Sequence, residues 1–209
     1  MHRRVRILAV IMVCLSLSGC RLTGERQSQG LGVEEKLMNM DSYAASLEIS
    51  HIDTGNKNTY QARQLYQIDG NYRFEVIKPD HISGLTTIYN GEKVIQYNPN
   101  VDDPKLVELP DNEFRNQIFL GSFIKNYLQS QDVSIEVQNI EGATTTVLEA
   151  IIPGGSKHMA SQKLWLDHES KKPVTMIIYN EEDQETVIIK YNEFTYNPQI
   201  DQSIFTIEK

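Results

Sequence analysis

Residues 88–99, IYNGEKVIQYNP, carry the pattern that decides the fold of this chain. Apolar and polar side chains alternate on both sides of Asn90-Gly91, over residues 85–89 and 93–97. Alternation with a period of two is typical of a half-buried strand. An Asn-Gly dipeptide between two such runs favours a two-residue turn with positive φ. The stretch therefore predicts a β-hairpin.

The same alternation extends outward from this hairpin in both directions. Upstream, it predicts strands around Leu47 and Ile49, over residues 60–68 and over residues 72–76, with a second two-residue turn at Asp69-Gly70. Downstream, further strands are predicted over residues 133–137, 145–152, 162–167, 174–179, 185–192 and 203–207. Roughly ten strands in meander order indicate one large antiparallel sheet.

Two segments show helical spacing instead. Val33, Leu37 and Met40 predict a short helix that opens the domain and ends near Asp41. A longer apolar stripe predicts a second helix that starts after Pro110 and runs to about Gln129. The expected fold class is therefore α+β, a large antiparallel sheet with two or three helices packed on one face.

The N-terminal segment has the features of a lipoprotein signal peptide. A basic head at residues 2–6 precedes an apolar run over residues 7–17, which is too short to span a bilayer because a spanning helix needs about 20 apolar residues. Small residues then precede Cys20, as in the bacterial lipobox. We expect residues 1–19 to be a signal peptide, residues 20–32 a lipidated tether, and residues 33–209 the folded domain.

The charge of the chain makes the predicted anchor necessary for membrane attachment. Without residues 1–19, which hold three arginines and no acid, 17 basic and 28 acidic residues give a formal charge of −11. Anionic headgroups and nucleic acid both repel such a domain. Since Cys14 lies within the signal peptide, the mature domain has no disulfide. We expect the protein to lie on the extracytoplasmic face of the cell membrane, held by lipid on Cys20, and to bind no nucleic acid.

The sequence offers no constellation typical of an enzyme. It lacks a His-x-x-x-His or paired-cysteine metal motif, and residues 153–157 (PGGSK) lack the spacing of a phosphate-binding loop. No Gly-x-Ser-x-Gly motif occurs either. We therefore expect no catalytic residues, no metal, no cofactor and no enzymatic activity.

The apolar side chains allow two interpretations that composition does not separate. They form an ordinary core beneath the helices, or they line a cavity for acyl chains that a curved sheet leaves open. For the second interpretation, strand and helix alternation gives these candidate cavity-lining residues: Leu47, Ile49, Phe74, Val76, Phe123, Leu148 and Trp165.

Several residues together resemble the signature of the LolA/LolB lipoprotein carriers. They are Lys78-Pro79-Asp80, then Asn90-Gly91 followed by Tyr97-Asn98-Pro99, and finally the tail Phe194-Thr195-Tyr196-Asn197-Pro198 with Ile200-Asp201 and Phe205. The resemblance covers most of residues 33–209. It implies an incomplete antiparallel barrel that helices close around an apolar cavity, in which acyl chains of lipid or lipoprotein bind.

Two departures from the carrier pattern bear on function. Ile95 stands where the family has Trp, and Asp69-Gly70 aligns with the Arg-Pro pair of the soluble carrier's latch. The chain is also similar in character to the germination-specific lipoproteins of spore-forming bacteria, which share this fold. That resemblance implies a different role, in which the protein binds and licenses a cell-wall amidase.

Two functions therefore stay open at the level of the sequence, and neither is enzymatic. The first is a membrane-anchored binder of acyl chains, as in lipoprotein sorting. The second is a lipoprotein that docks an envelope protein such as a cell-wall amidase during spore germination.

Overall fold

The computed structural model describes residues 32–206 except 104, 111–112, 131–132 and 141, and it leaves the side chains of 113 and 114 undescribed. The predicted signal peptide, Cys20 and most of the tether therefore lie outside the described residues. The strands are β1 Ser42–Asp53, β2 Asn56–Gln67, β3 Tyr72–Lys78, β4 Thr86–Tyr89, β5 Val94–Tyr97, β6 Leu106–Leu109, β7 Ser134–Ile140, β8 Ala143–Ser156, β9 Met159–Asp167, β10 Pro173–Tyr179 and β11 Glu185–Tyr196. The helices are α1 at residues 32–38, α2 Glu113–Asn116 and α3 Leu120–Gln129.

All eleven described strands belong to one antiparallel sheet. Its order is β6-β5-β4-β3-β2-β1-β11-β10-β9-β8-β7, so each strand lies beside its neighbour in sequence except where β1 meets β11. The first and last strands thus pair in the middle of the sheet, and β6 and β7 form its two edges. The α+β fold class with a large antiparallel sheet is confirmed.

The helices lie on one face of the sheet, which we call the helix-covered face. Alternate side chains of each strand point to it, as Tyr43, Leu47 and Ile49 of β1 do, and these join one apolar core with the helices. Val33 and Leu37 of α1 are buried in that core, which confirms the predicted opening helix. The opposite side, which we call the outer face, carries residues such as Ala44 and Ser46.

The hairpins form at the predicted glycines, but their loops are longer than predicted. Gly70 and Gly91 have φ values of 105° and 89°, which side chains with a Cβ rarely adopt. Residues 68–71 and 90–93 connect the strands, so neither connection is the two-residue turn expected from its dipeptide. The reason is that Asn71 and Asn90 side chains organise these loops, with Asn90 Oδ1 accepting from the backbone N–H of Glu92.

The predicted long helix is interrupted in the structure. Residues 117–119 are not helical, and Phe119 takes an extended conformation before α3 begins at Leu120. This break lets the Phe119 side chain enter the core, where it is 1% exposed. The predicted end near Gln129 is confirmed.

The structure differs from the sequence prediction at the sheet edge, where a strand was missed, and at the C-terminus, where a predicted strand is wrong. Strand β6 was not predicted, because no two-residue turn dipeptide such as Asn-Gly precedes this run of four residues. The strand predicted over residues 203–207 is a 3₁₀ turn at Gln202–Phe205. Asp201 explains the difference, since its side chain accepts a hydrogen bond from the N–H of Ser203 at 2.9 Å and so favours a helical start.

Candidate functional site

In the middle of the helix-covered face, a first set of buried hydrogen bonds connects β1 and β2 to the start of α3. Tyr43 Oη donates to Gln64 Oε1 at 2.8 Å and accepts from the backbone N–H of Leu120 at 3.1 Å. Gln64 Nε2 in turn donates to the carbonyl oxygen of Ile118 at 3.3 Å. The helix start is thus tied to the sheet by groups that would lose free energy if left unpaired.

A second set ties the same helix to β9. Gln162 is 0% exposed; its Oε1 accepts from Asn126 Nδ2 at 2.8 Å and its Nε2 donates to the carbonyl oxygen of Gln117 at 2.8 Å. Asn126 Nδ2 also donates to Gln117 Oε1 at 2.7 Å. The helix is interrupted at residues 117–119, and at this break the Gln117 carbonyl oxygen accepts the hydrogen bond from Gln162.

Glycine allows α3 to lie directly on an aromatic ring. A Cβ placed on Gly121 would lie 2.1 Å from a ring carbon of Tyr66, so only glycine fits. Tyr66 stacks on Tyr43 at 5.5 Å between ring centroids, and Tyr43 stacks on Phe194 at 5.4 Å. The middle of the helix-covered face is therefore filled by the chain's own side chains. We call this region, β1, β2 and β8–β11 under α3, the floor.

Burial on the helix-covered face changes the electrostatics of two tyrosines, one in the floor and one at its border. Tyr43 is fully buried, and the loss of hydration raises the pKa of its hydroxyl well above the ordinary value. The same loss of hydration raises the pKa of Tyr60 on β2 to about 12. Both hydroxyls are thus neutral hydrogen-bonding groups at physiological pH.

An apolar cavity of about 300 Å³ lies beside the floor, in a region we call the wing. The wing consists of β3, β4 and β5, the connection at residues 79–85, and the segment from α2 to the helix break. The apolar residues that line the cavity include Tyr60, Phe74, Val76, Ile82, Leu85 and Ile118. Arg115 and Gln96 also line it, so an apolar volume meets one cationic side chain at the wing.

Two other cavities have different linings. One of about 560 Å³ runs along α3 and includes polar residues such as Asp69, Asn116 and Lys125 as well as the exposed apolar Leu128. Another of about 410 Å³ lies on the outer face over Ala44 and is crossed by polar bonds. There Arg73 pairs with Glu75 at 3.4 Å and Ser46 donates to Glu193 at 3.0 Å.

The structure brings two of the seven predicted lining residues into the wing cavity, Phe74 and Val76. Leu47, Ile49, Phe123 and Leu148 belong to the packed core of the floor and are at most 1% exposed. These four residues touch other core side chains, which corresponds to the ordinary-core interpretation at their positions.

The seventh predicted residue, Trp165, lies on the outer face. Its neighbours Leu164 and Leu166 point into the floor, whereas Trp165 pairs across the sheet with Val147 of β8 and Thr175 of β10. Period-two alternation identifies two faces of a strand but does not say which of them the helices cover.

Sequence reasoning missed the residues that complete the wing cavity, above all Arg115, Ile82, Leu85 and Ile118. Ile82 lies in a connection without periodicity, Leu85 was assigned to the predicted strand over residues 85–89 but precedes β4, and Ile118 lies in the helix break. The interrupted spacing of the apolar stripe between residues 114 and 123 was a signal of that break.

In the part of the chain that the structure describes, no three His, Cys, Asp or Glu side chains come together as possible metal ligands. None of the helices described is both long and apolar enough to cross a membrane.

The family model of sporulation protein YdcC-like proteins matches residues 2–205. The chain belongs to the YdcC-like family of sporulation proteins. No match is found among curated protein sequences.

Several solved structures are similar to this chain. A chain from the complex of the CwlD amidase with the GerS lipoprotein of Clostridioides difficile is 30% identical, over 82% of this chain and 96% of that one, with a TM-score of 0.49. A conserved protein from Thermus thermophilus is 13% identical over 88% of this chain and 94% of its own, with a TM-score of 0.53. A LolA superfamily protein, NE2245 from Nitrosomonas europaea, is 14% identical over 87% and 97%, with a TM-score of 0.46.

The predicted resemblance is confirmed by these relatives and by the fold. The chain's membership of a family of sporulation proteins fits the predicted resemblance to the germination-specific lipoproteins.

Proposed function

We propose that this protein is a lipoprotein anchored through Cys20 to the extracytoplasmic face of the cell membrane, where it binds a cell-wall amidase during spore germination and performs no catalysis itself. The observation that carries the proposal is the 30% identity, over most of both chains, to a chain in the complex of the CwlD amidase with the GerS lipoprotein. The sporulation family of the chain agrees with it.

The packing of the floor also favours a protein partner over a large bound lipid. Tyr43, Gln64 and Gln162 use the helix-covered face to hold α3 in place. Opening that face would leave several buried polar groups without partners, at about 1–3 kcal/mol each. Binding at the outer surface carries no such cost.

The outer face of β8–β11 offers a surface suited to the amidase. Half-buried Trp165 lies there with Val147, and Ile177 pairs with Ile188 nearby. Lys163 borders these residues, with its Nζ 3.2 Å from Glu149. Tryptophan with an apolar surround and a charged rim is typical of the residues that dominate binding energy in protein interfaces.

The proposal is tested by measuring binding between the purified full chain carrying Cys20→Ser and a cell-wall amidase of the same organism. We expect a stable complex in size-exclusion chromatography and a Kd measurable by calorimetry. Trp165→Ala should weaken binding at least tenfold, as expected for an interface anchor worth about 2 kcal/mol.

Leu128→Ala is the matched control, because Leu128 is an apolar residue on the helix side that is 67% exposed. If Leu128→Ala weakens binding and Trp165→Ala does not, the outer face is the wrong surface although the partner is right. If neither the parent chain nor either variant binds amidase, the partner function itself is wrong.

The anchor has a separate test, since it concerns residues outside the described part of the chain. Mass spectrometry of the native protein should find diacylated Cys20 as its first residue, and Cys20→Ala should release the protein from membranes. A chain that stays membrane-bound after Cys20→Ala would contradict anchoring at this position.

The wing cavity supports a second candidate function, the binding of acyl chains of lipid or lipoprotein. Its volume of about 300 Å³ and its lining by Phe74, Val76 and Leu85 favour an apolar ligand. Mass spectrometry of the purified protein after incubation with a lipid extract should then detect bound acyl chains. Leu85→Trp, which fills the cavity, should remove them, and retention in this variant would contradict binding in the wing.

A further inference from the structure

We propose that the free edge of β7 binds an extended segment of another protein in which basic and apolar side chains alternate, and adds that segment to the sheet as one more strand. The apolar side chains of the segment pack on the helix-covered side of the edge, and its basic side chains face the outer side. The inference goes beyond the proposed function, because the edge is a different surface from that around Trp165 and from the wing cavity.

The two edges of the sheet differ in how they are protected against such pairing. β6 spans only Leu106–Leu109 and is followed directly by Pro110, and Lys93 Nζ lies 3.3 Å from Glu108 Oε2 across its one neighbour. Short strands, prolines and lysines keep sheet edges from pairing with other chains. β7 has seven residues, Ser134–Ile140, without proline or lysine, and its pairing with β8 has no bulge. The edge at β7 therefore keeps the geometry that another strand needs.

The backbone of β7 supplies the hydrogen-bonding groups for this pairing. In an antiparallel pair, the N–H and C=O groups of alternate residues point toward the neighbouring strand, and those between them point away from it. Among the described strands, β8 is the one that lies beside β7. About half of the backbone groups of β7 thus face away from the sheet, where an added strand pairs with them through its own main chain.

The helix-covered side of the edge is apolar. Ile135 pairs with Leu148, which belongs to the core of the helix-covered face, so Ile135 points to that side. Val137 is two residues further along the strand and points the same way. Both side chains are only half-buried. Apolar side chains on an added strand would cover the part that remains exposed, since cross-strand neighbours on one face pack against each other.

The outer side of the edge carries an exposed carboxylate. Glu136 pairs with Val147, which lies on the outer face next to Trp165. Its Oε2 accepts from Gln138 Nε2 at 2.7 Å, and it forms no ion pair with the described residues. Opposite charges on facing strands stabilise a sheet and like charges destabilise it. The outer side of the edge therefore favours lysine or arginine on the added strand.

The charge of the chain also favours a basic partner over a second copy of itself. The formal charge of the chain is −8, so two copies repel each other and a basic segment is attracted. Pairing of β7 with another β7 would also bring two Glu136 carboxylates into one short interface.

The test is titration of the full chain carrying Cys20→Ser with synthetic peptides of seven residues, the length of β7, followed by amide hydrogen exchange. One peptide alternates lysine and valine, a second has the same composition in separate blocks, and a third alternates glutamate and valine. We expect the first to bind about tenfold more tightly than either of the others. It should slow exchange at residues 134–140 and leave residues 106–109 unchanged.

A charge reversal at the edge tests the recognition of basic side chains. Glu136→Lys should weaken binding of the alternating lysine peptide about fivefold and strengthen binding of the alternating glutamate peptide. Glu108→Lys is the matched control, because it makes the same change of charge at an exposed residue of the other edge strand. It should change either affinity by less than about twofold.

Three outcomes overturn the inference. Equal affinities of the two lysine peptides, or slowed exchange outside β7, would mean that charge alone attracts them. Exchange at residues 134–140 that slows with rising concentration of the chain itself would mean that β7 pairs with a second copy. Absence of binding by the alternating lysine peptide would mean that the edge accepts no strand of this kind, whereas amidase binding is judged by its own experiment.

Discussion

The floor and the wing are built from the same alternating strands, yet one is filled and the other holds a cavity. In the floor, Leu148 and Gln162 are both 0% exposed beneath α3. In the wing, Leu85 and Gln96 are half-buried and line open volume. The difference arises at residues 117–119, where the helical segment breaks. After the break, α3 packs on the floor and fills the space above it. Before the break, the segment from α2 to residue 119 leaves a cavity beside β3–β5.

The contrast shows that this sheet leaves room for a ligand only where no helix packs on its helix-covered face. The helix-covered side of the floor is occupied by the chain's own aromatic rings and amides. The wing keeps a small cavity with a cation. Four paired substitutions test the contrast, in order of decreasing expected effect.

The largest difference is expected between two leucine-to-alanine substitutions. Leu148→Ala should lower the free energy of unfolding by about 3–5 kcal/mol, because its neighbours cannot collapse into the space. Leu85→Ala should lower it by less than about 1.5 kcal/mol, because the side chain already borders open volume. Urea unfolding followed by circular dichroism measures both. Equal losses would mean that the wing is as tightly packed as the floor.

The second test concerns the close approach of α3 to the sheet. Gly121→Ala should destabilise by about 2–3 kcal/mol, because the new methyl group must displace the Tyr66 ring or the helix. Gly32→Ala in α1 is the control; its Cβ would lie 3.8 Å from Lys171 Nζ, an ordinary contact with a flexible side chain. Its unfolding free energy should change by less than about 1 kcal/mol. A Gly121→Ala variant as stable as the parent would contradict the filled floor.

The third test compares a buried amide with one at the cavity. Gln162→Leu should cost about 2 kcal/mol, because it leaves Asn126 Nδ2 and the Gln117 carbonyl oxygen each with one hydrogen bond fewer. Gln96→Leu should change stability by no more than about 0.5 kcal/mol, since it loses one bond at a half-buried site. Thermal melts of both variants are the measurement. A neutral Gln162→Leu would show that the amide bonds do not hold α3.

The smallest effect is expected in alkaline solution. Because burial raises the folded-state pKa of Tyr43, its contribution to stability is full below the unfolded-state pKa of 10.0 and is lost as the pH rises above that value. The unfolding free energy should therefore fall more steeply between pH 9 and pH 11 for the parent chain than for Tyr43→Phe, about 10 being the unperturbed pKa.

Tyr60→Phe provides the comparison at the wing, since the pKa of Tyr60 is raised to about 12. We expect its slope between the same two pH values to lie between those of the parent and Tyr43→Phe. Urea midpoints at each pH give the slopes. A slope for Tyr43→Phe equal to the parent's would mean that the floor does not exclude water from this hydroxyl.

The sequence by itself determined most strands of the sheet, because strand alternation and turn glycines act through neighbours along the chain. The hairpins at Gly70 and Gly91, the opening helix and the end of α3 near Gln129 all follow from such local patterns. The resemblance to the LolA/LolB carriers followed from the same local segments.

Only the tertiary structure decided which apolar residues face a cavity and which are packed. Gln162 meets the carbonyl of Gln117 across 45 positions, and Tyr43 meets the N–H of Leu120 across 77. No local pattern encodes contacts at such separation, because they depend on where each strand and helix lies after folding. For the same reason Leu148 belongs to the floor, Trp165 lies on the outer face, and Arg115 lies beside the apolar volume of the wing.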